Sequence, residues 1–343
     1  MSRSRQPRVQ SSLPPKDKIH TASIRDVAKL AGVSIASVSR ALNVGTGNVS
    51  TATRERVLRA AEELKYAPNQ IGRALRAQTT NTYAFILSNI QNNLFSAVAW
   101  ELERLIADRG AGLLLYTSNE DPKIQDDCLD DARSRQVAGI FFMCAVESDK
   151  LADTAEREQC VFINRRVPSI ANVPFVGIDD YSAAQHLFRS AVKRRNGRVG
   201  VIHGPRSSDT SKRRLDGFLE SASAMGCRIE ADAIIEAELS IESGYAAANQ
   251  LFSQHSYETV FCGNDQIAYG VRHRLAELDI TVPDETSVFG FDDNPLNQWL
   301  APWLSTVRVP HLLFAAKALS GMEALLDGQS PGDSILPYEL IFK

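Results

Sequence analysis

The segment SIRDVAKLAGVSIASVSRALN, residues 23–43, decides how the chain begins. Ile24, Val27, Ala28 and Ala31 recur at i, i+3, i+4 and i+7, the apolar stripe of a helix. Ser23 with Asp26 three residues on predicts an N-cap and a variant capping box. Gly32 is suited to the left-handed conformation that ends a helix, and Ser34 to capping the next one. The second helix, over 34–42, turns Val38 and Leu42 inward and leaves Ile35, Ala36, Ser37, Ser39 and Arg40 outward. A third begins near Ser50 and carries Val57, Ala61 and Leu64 on one face, with Arg54, Arg56 and Arg59 on others. Three such helices close a minimal core and leave the second as a ridge sized for the major groove of DNA.

Charge supports a polyanionic partner. The 343 residues carry a net charge of −3, but residues 1–80 hold ten Arg and four Lys against two Asp and three Glu, a balance of +9 that leaves −12 for the rest. A basic head on an acidic body fits nucleic acid, because each cation set on a phosphate releases condensed counterions. Residues 1–22 alternate Arg3, Arg5, Arg8, Lys16 and Lys18 with Ser, Gln and proline and have little to bury, so they read as a disordered basic tail. Residues 66–76, YAPNQIGRALR, allow a short helix with proline in its first turn. So short a helix does not hold alone in water, and Gly72 weakens it by about 1 kcal/mol relative to alanine.

With 44% hydrophobic and 23% charged residues, the composition is that of a globular protein of two or three units. No apolar stretch reaches the roughly 20 residues of a membrane span, and the arginine-rich start lacks the apolar core of a secretion signal, so the chain reads as cytoplasmic. Cys128, Cys144, Cys160, Cys227 and Cys262 form no CxxC pair and have no histidine at metal-like spacing; they read as small buried residues with no metal and no cofactor. Beyond residue 82, apolar runs at 83–87, 113–117, 139–143, 161–164, 175–178, 199–203, 234–236, 259–262 and 287–291 alternate with helical stretches at 97–109, 182–193, 211–225, 243–252 and 266–278. Repeated βα units of this kind predict parallel sheets covered on both faces, arranged in two similar lobes. Ligands of such sheets sit beyond the carboxyl ends of the strands.

VAKLAGVS at 27–34 followed by VSRALN at 38–43 resembles the DNA-binding head of the lactose-repressor/galactose-repressor (LacI/GalR) family. The similarity extends from Ser23 to the end of the chain, through LSNIQNNLF at 87–95, SNEDP at 118–122, CGNDQIA at 262–268 and SVFGFDD at 287–293. It implies an all-α helix-turn-helix head plus an α/β two-lobed, periplasmic-binding-protein-like core. In domain terms this gives a tail at 1–22, the head at 23–66, a hinge helix and linker at 67–80, and a core at 81–343. The first lobe takes about 81–180 and 311–328, and the second about 181–308 and 331–343. The implied function is repression of a carbohydrate-utilisation operon by a homodimer on a near-palindromic operator, controlled by a sugar-like effector between the lobes. Partners are then double-stranded DNA, a small molecule and a second copy of the chain, with no membrane. The DNA contacts implied are Arg25, Ile35, Ala36, Ser37, Ser39, Arg40, Asn43, Asn69, Leu75 and Arg76. Leu75 stands where the family drives a leucine into the minor groove, the alternative being a linker leucine packed on the core. The implied effector contacts are Phe95, Arg214, Asn264 and Asp292, set against an N-cap for Asn264, a surface ion pair for Arg214 and an interlobe brace for Asp292.

Asn93, Leu239 and Val309 depart from the family pattern, which more often has proline, a ring-stacking aromatic and glutamine there. The chain ends at Lys343 with no leucine heptads, an argument against a tetramer-forming tail. Enzymes are disfavoured, because the chain has no GxxxxGK[ST], GxGxxG, GxSxG or HExxH. An exported solute-binding protein would need the missing signal and would not carry the basic head.

Overall fold

The computed structural model describes residues 22–42, 49–66, 80–192 and 197–343. They fall into two compact units that divide at residues 76 and 77.

The first unit holds α1 (Ile24–Ala31), α2 (Ile35–Leu42) and α3 (Thr51–Glu63). Ser23 and Asp26 form the expected capping box, and Gly32 ends α1 at φ 65°. Ser34 caps α2, its Oγ accepting from the Ser37 amide at 3.1 Å, and Ser50 caps α3 through the Thr53 amide at 3.3 Å. Val27, Ala28, Ala31, Val38, Ala41, Val57, Ala60 and Ala61 make the core, with Leu42 and Leu64 packed at its margin. The inward phase of α2 thus centres on Val38 and Ala41, and Leu42 is only half-buried.

In the second unit, β1 (Thr82–Leu87), β2 (Gly112–Thr117), β3 (Ile140–Met143), β4 (Cys160–Ile163) and β5 (Phe175–Gly177) form a parallel sheet. Alternation along its strands serves both faces. Phe85, Phe141 and Val161 pack with α4 (Asn93–Ala107) and α12 (His311–Leu326). Ile86, Phe142 and Phe162 pack on the side of α5 (Pro122–Ser134) and α6 (Asp149–Arg157). The second sheet orders β7 (Ile234–Glu236), β6 (Val199–His203), β8 (Thr259–Cys262) and β9 (Ser287–Phe289). It lies between α7 (Asp180–Val192) with α8 (Asp209–Ala224) and α9 (Ile241–Leu251) with α10 (Asp265–Glu277). One apolar cluster runs through both lobes, uniting Phe85, Phe141 and Phe314 with Phe188, Phe218 and Phe261.

The boundary expected near the end of the chain needs correcting. β11 (Ser334–Ile335) pairs in parallel with β5 and so extends the first sheet, whereas residues 331–343 were expected to lie with the second lobe. Only β12 (Glu339–Ile341) goes to the other side, antiparallel to β10 (Thr306–Arg308). A two-residue strand carries too little alternation to show which sheet edge it joins.

Candidate functional site

In the head, α2 is fixed by Val38 and Ala41, so helical periodicity turns Ile35, Ala36 and Arg40 to the outside, where all three are exposed. Ser37 and Ser39 are half-buried, and the Ser37 hydroxyl lies 2.9 Å from that of Ser34. Arg40 folds back so that Nε donates to the Ala36 carbonyl at 3.2 Å. Arg25 is exposed on α1. A short apolar start and a guanidinium on one ridge can meet a thymine methyl and either a phosphate or a base edge. Asn43, Asn69, Leu75 and Arg76 lie outside the described residues.

In the core, the four expected effector residues Phe95, Arg214, Asn264 and Asp292 line one small cavity of about 20 Å³, together with Asn92, Cys144, Asn164, Arg165, Thr210 and Leu239. Its walls come from the ends of strands in both lobes. Asn164 and Arg165 follow β4, Asn264 follows β8 and Asp292 follows β9. Of the nine non-glycine residues with positive φ among those described, Asn119, Glu120, Cys144, Asn164, Asp292 and Asp293 sit in the loops that follow β2, β3, β4 and β9. Such backbone is costly and persists where the surrounding structure over-determines it, as at binding sites.

Arg214 is the electrostatic centre. Its side chain is 5% exposed; Nε donates to Asp180 Oδ1 at 2.8 Å, Nη1 donates to the Gly263 carbonyl at 2.8 Å, and Nη2 lies 3.3 Å from Asp292 Oδ1. The guanidinium also stacks 3.7 Å from the centroid of Phe291. The expected alternative of a surface ion pair is therefore replaced by a buried one, and much of the fork that a ligand would use is already engaged by protein. Burial pushes the Asp292 carboxyl up to about 6 against the opposing pull of Arg214, with Asp180 adding to the rise. Arg214, which burial alone would lower, is held above its ordinary value by Asp180 and Asp292.

What remains for a ligand is visible in unmet hydrogen-bonding capacity. Among the described residues Asn164 Oδ1 and Arg165 Nε are buried without a hydrogen-bond partner, and Asp292 Oδ1 has only its ion pair with Arg214; all three residues line the cavity. An unmet acceptor, an unmet donor and a carboxylate, all on residues of one lining, fit hydroxyls, which donate and accept at once. Arg165 is otherwise clasped by Glu120, at 2.8 Å and 3.1 Å. Asn264 does serve as the N-cap of α10, its Oδ1 accepting from Ile267 at 2.9 Å, which leaves its amide NH₂ for the cavity. Thr210 donates across the lobes to the Asn164 carbonyl at 3.1 Å. Phe95 is buried in the shared core and presents an edge of the cavity.

Two wider spaces adjoin. One of about 190 Å³ shares Asn92, Phe95 and Leu239 with the small cavity. The other, about 770 Å³, shares Arg165 with it and opens among Glu120, Arg166, Arg206 and Lys212. Of the three departures from the family pattern, only Leu239 lines these spaces. Val309 is in the shared core, and Asn93 borders a separate apolar pocket.

Asn164 and Arg165 escaped the reading of the sequence although they sit at the carboxyl end of the expected strand 161–164; the rule that ligands meet strand ends was enough to find them. Asp180 also lies just past an expected strand, but nothing in the sequence pairs it with Arg214, which lies on another helix. Among the described residues no group of His, Cys, Asp and Glu is placed to hold a metal ion, and no helix is long and apolar enough to cross a membrane.

Residues 23–69 match the family described as bacterial regulatory proteins, lacI family, and residues 184–343 match a periplasmic binding protein-like domain. The HTH-type transcriptional regulator DegA of Bacillus subtilis (strain 168) is 31% identical over 296 residues, covering 84% of this chain and 86% of that protein. The HTH-type transcriptional repressor PurR of Pasteurella multocida (strain Pm70) is 30% identical over 309 residues, covering 87% and 90%. Among solved structures, a lac repressor dimer bound to operator and the anti-inducer ONPF superposes with a TM-score of 0.83 at 21% identity, covering 93% of this chain and 97% of that one.

Proposed function

The chain belongs to the lacI family of bacterial regulatory proteins and, like its relatives, is a DNA-binding transcriptional regulator rather than an enzyme; from that premise we propose that it is a repressor of carbohydrate utilisation. It acts as a homodimer on a near-palindromic operator and is switched by a small sugar-like effector in the interlobe cleft. The observation that carries this reading is that one cavity between the two lobes is lined by Asn164, Arg165 and Asp292, with Asn164 Oδ1 and Arg165 Nε buried and without hydrogen-bond partners among the described residues and the Asp292 carboxylate held only by its ion pair with Arg214.

A polyhydroxylated ligand supplies the missing partners without bringing a charge that the Arg214 cluster would have to neutralise. Because about 20 Å³ does not hold a sugar ring, the effector enters by parting the lobes, and the Thr210 to Asn164 hydrogen bond is the contact it breaks. Any ligand with unequal affinity for the parted and closed arrangements shifts the balance between them. The apolar strip of Leu296, Trp299 and Leu300, the last two 75% and 73% exposed, supports the dimer, since a second copy related by two-fold symmetry covers strip with strip.

In the head, Ile35, Ala36 and Arg40 read the major groove, with Ser37, Ser39 and Arg25 on phosphates. The sequence at Asn43, Asn69, Leu75 and Arg76 supplies the remaining contacts, Leu75 as the minor-groove wedge. A thermal-shift screen of neutral sugars, sugar acids and sugar phosphates tests the effector class. Stabilisation by a neutral sugar that is lost in Asn164→Ala supports the reading, and a panel without any shift beside a positive response to another class removes it.

A further inference from the structure

Asp265 opens α10 one residue after Asn264 and is almost wholly buried, 1% accessible. Among the described residues, no lysine or arginine is among its hydrogen-bond partners. Instead Oδ2 accepts from the Asn294 amide at 2.8 Å and from Asn297 Nδ2 at 2.7 Å, and Oδ1 accepts from the Thr306 hydroxyl at 2.7 Å. Its own amide donates to the Phe291 carbonyl at 2.9 Å. The carboxylate presses so closely on the chain at Gly290 that a Cβ there would lie 2.2 Å from Oδ1. One side chain thus holds residues 294 and 297 and the return strand at 306 and packs on 290, while the amide of the same residue holds 291.

The segment held in this way has a function at each end. Asp292, at φ 113°, faces Arg214 in the effector cavity. Asn297 starts the single helical turn α11 (Asn297–Leu300), whose Trp299 and Leu300, with the preceding Leu296, form the exposed apolar strip. Asn297 also accepts from the Tyr269 hydroxyl, which ties α11 to the wall of the apolar pocket beside the strip. Three donors converge on this carboxyl, and its two oxygens offer the lone pairs to accept from all of them.

We propose that Asp265 is a positioning residue that links the effector cavity to the dimer strip, by holding Asp292 and Leu296–Trp299–Leu300 as one body. The inference rests on the reading of the core as an effector-switched homodimer. It requires no bound effector to be tested, because a substitution at Asp292 perturbs the cavity directly.

The test is a double-mutant cycle on the full chain, with the dimer dissociation constant measured by sedimentation equilibrium. Asp292→Asn is expected to change that constant at least fivefold in the native background and less than twofold in an Asp265→Asn background. A merely structural role for Asp265 lowers the thermal midpoint and leaves the fivefold change intact, and that result overturns the proposal. So does an Asp292→Asn variant that dimerises like the native chain. Where Asp265→Asn fails to fold by circular dichroism, Gly290→Ala takes its place, displacing the carboxylate by one methyl with every charge retained. A native chain that stays monomeric at every concentration defeats the dimer reading itself, a result distinct from either of the others.

Discussion

The outward face of α2 puts Ile35, Ala36 and Arg40 in solvent from a single helix of eight residues. In the core, Asp180, Arg214 and Asp292 are buried and come from two helices and a loop. The head presents chemistry that a partner must complete, so substitutions on its ridge alter recognition and leave the fold alone. The Arg214 cluster in the cavity is already paired within the protein, so substitutions there touch stability and recognition together.

The largest effect that separates the two regions is expected from Asp292→Ala. Arg214 keeps Asp180 and the Gly263 carbonyl, so the chain folds and binds operator, while the effector loses its main acceptor and binds about a hundredfold more weakly, in line with about 3 kcal/mol for truncating a buried charged partner. Operator titrations with and without the stabilising sugar measure it, and a retained response breaks the contrast. Leu75→Ala is expected next. Specific operator affinity falls by about 2 kcal/mol, or some thirtyfold, while affinity for random DNA holds, as a lost wedge between base steps requires; equal losses on both DNAs remove the wedge.

A pH scan sharpens the comparison from the core side. Burial, followed by the charge of Asp292, raises the Asp265 carboxyl to about 7, and burial raises Asp292 to about 6. A group whose folded value lies above its unfolded one stabilises the fold below the unfolded value and loses that contribution as pH rises through the folded value. Between about pH 5 and 8 the core is therefore expected to lose on the order of 2 kcal/mol, read as a falling calorimetric midpoint, and Asp265→Asn flattens the upper part of the decline.

In the head, Arg40→Ala is expected to cost roughly tenfold in operator affinity if it meets a base edge, or to reduce the salt slope by about one if it meets phosphate. A binding curve and salt slope identical to the native ones exclude both contacts. The smallest effect is Ser23→Ala, which opens the capping box and lowers head stability by about 1 kcal/mol without moving the core transition.

Legibility followed the range of the interactions. The capping box, the Gly32 stop and the Ser34 cap are contacts within four residues, and they stand in the structure as the residues foretold, as does the start of α3 at Ser50. Nine of the ten described strands in the two parallel sheets were also readable, β11 being the exception, because buried strands are continuous apolar runs. Helices α5 and α6 were not foreseen; α5 has acidic positions such as Asp126, Asp127, Asp130 and Asp131 that dilute its apolar stripe. Phe95, Arg214, Asn264 and Asp292 were named from motifs and do meet at one cavity, yet their motifs could not tell that Arg214 would be engaged by Asp180, or that Asn164 and Arg165 would carry the unmet hydrogen bonds.

By itself the sequence determined the helix-turn-helix head, the alternation of strand and helix, the basic and acidic halves and the family, since each depends on neighbours along the chain or on summed composition. Tertiary structure alone decided that Ser334–Ile335 joins the first sheet, that Arg214 is buried between two carboxylates, and that Asp265 holds the loop of Asp292. These depend on groups brought together from distant positions, where the free energy of a buried charge is set by surroundings that no local pattern encodes.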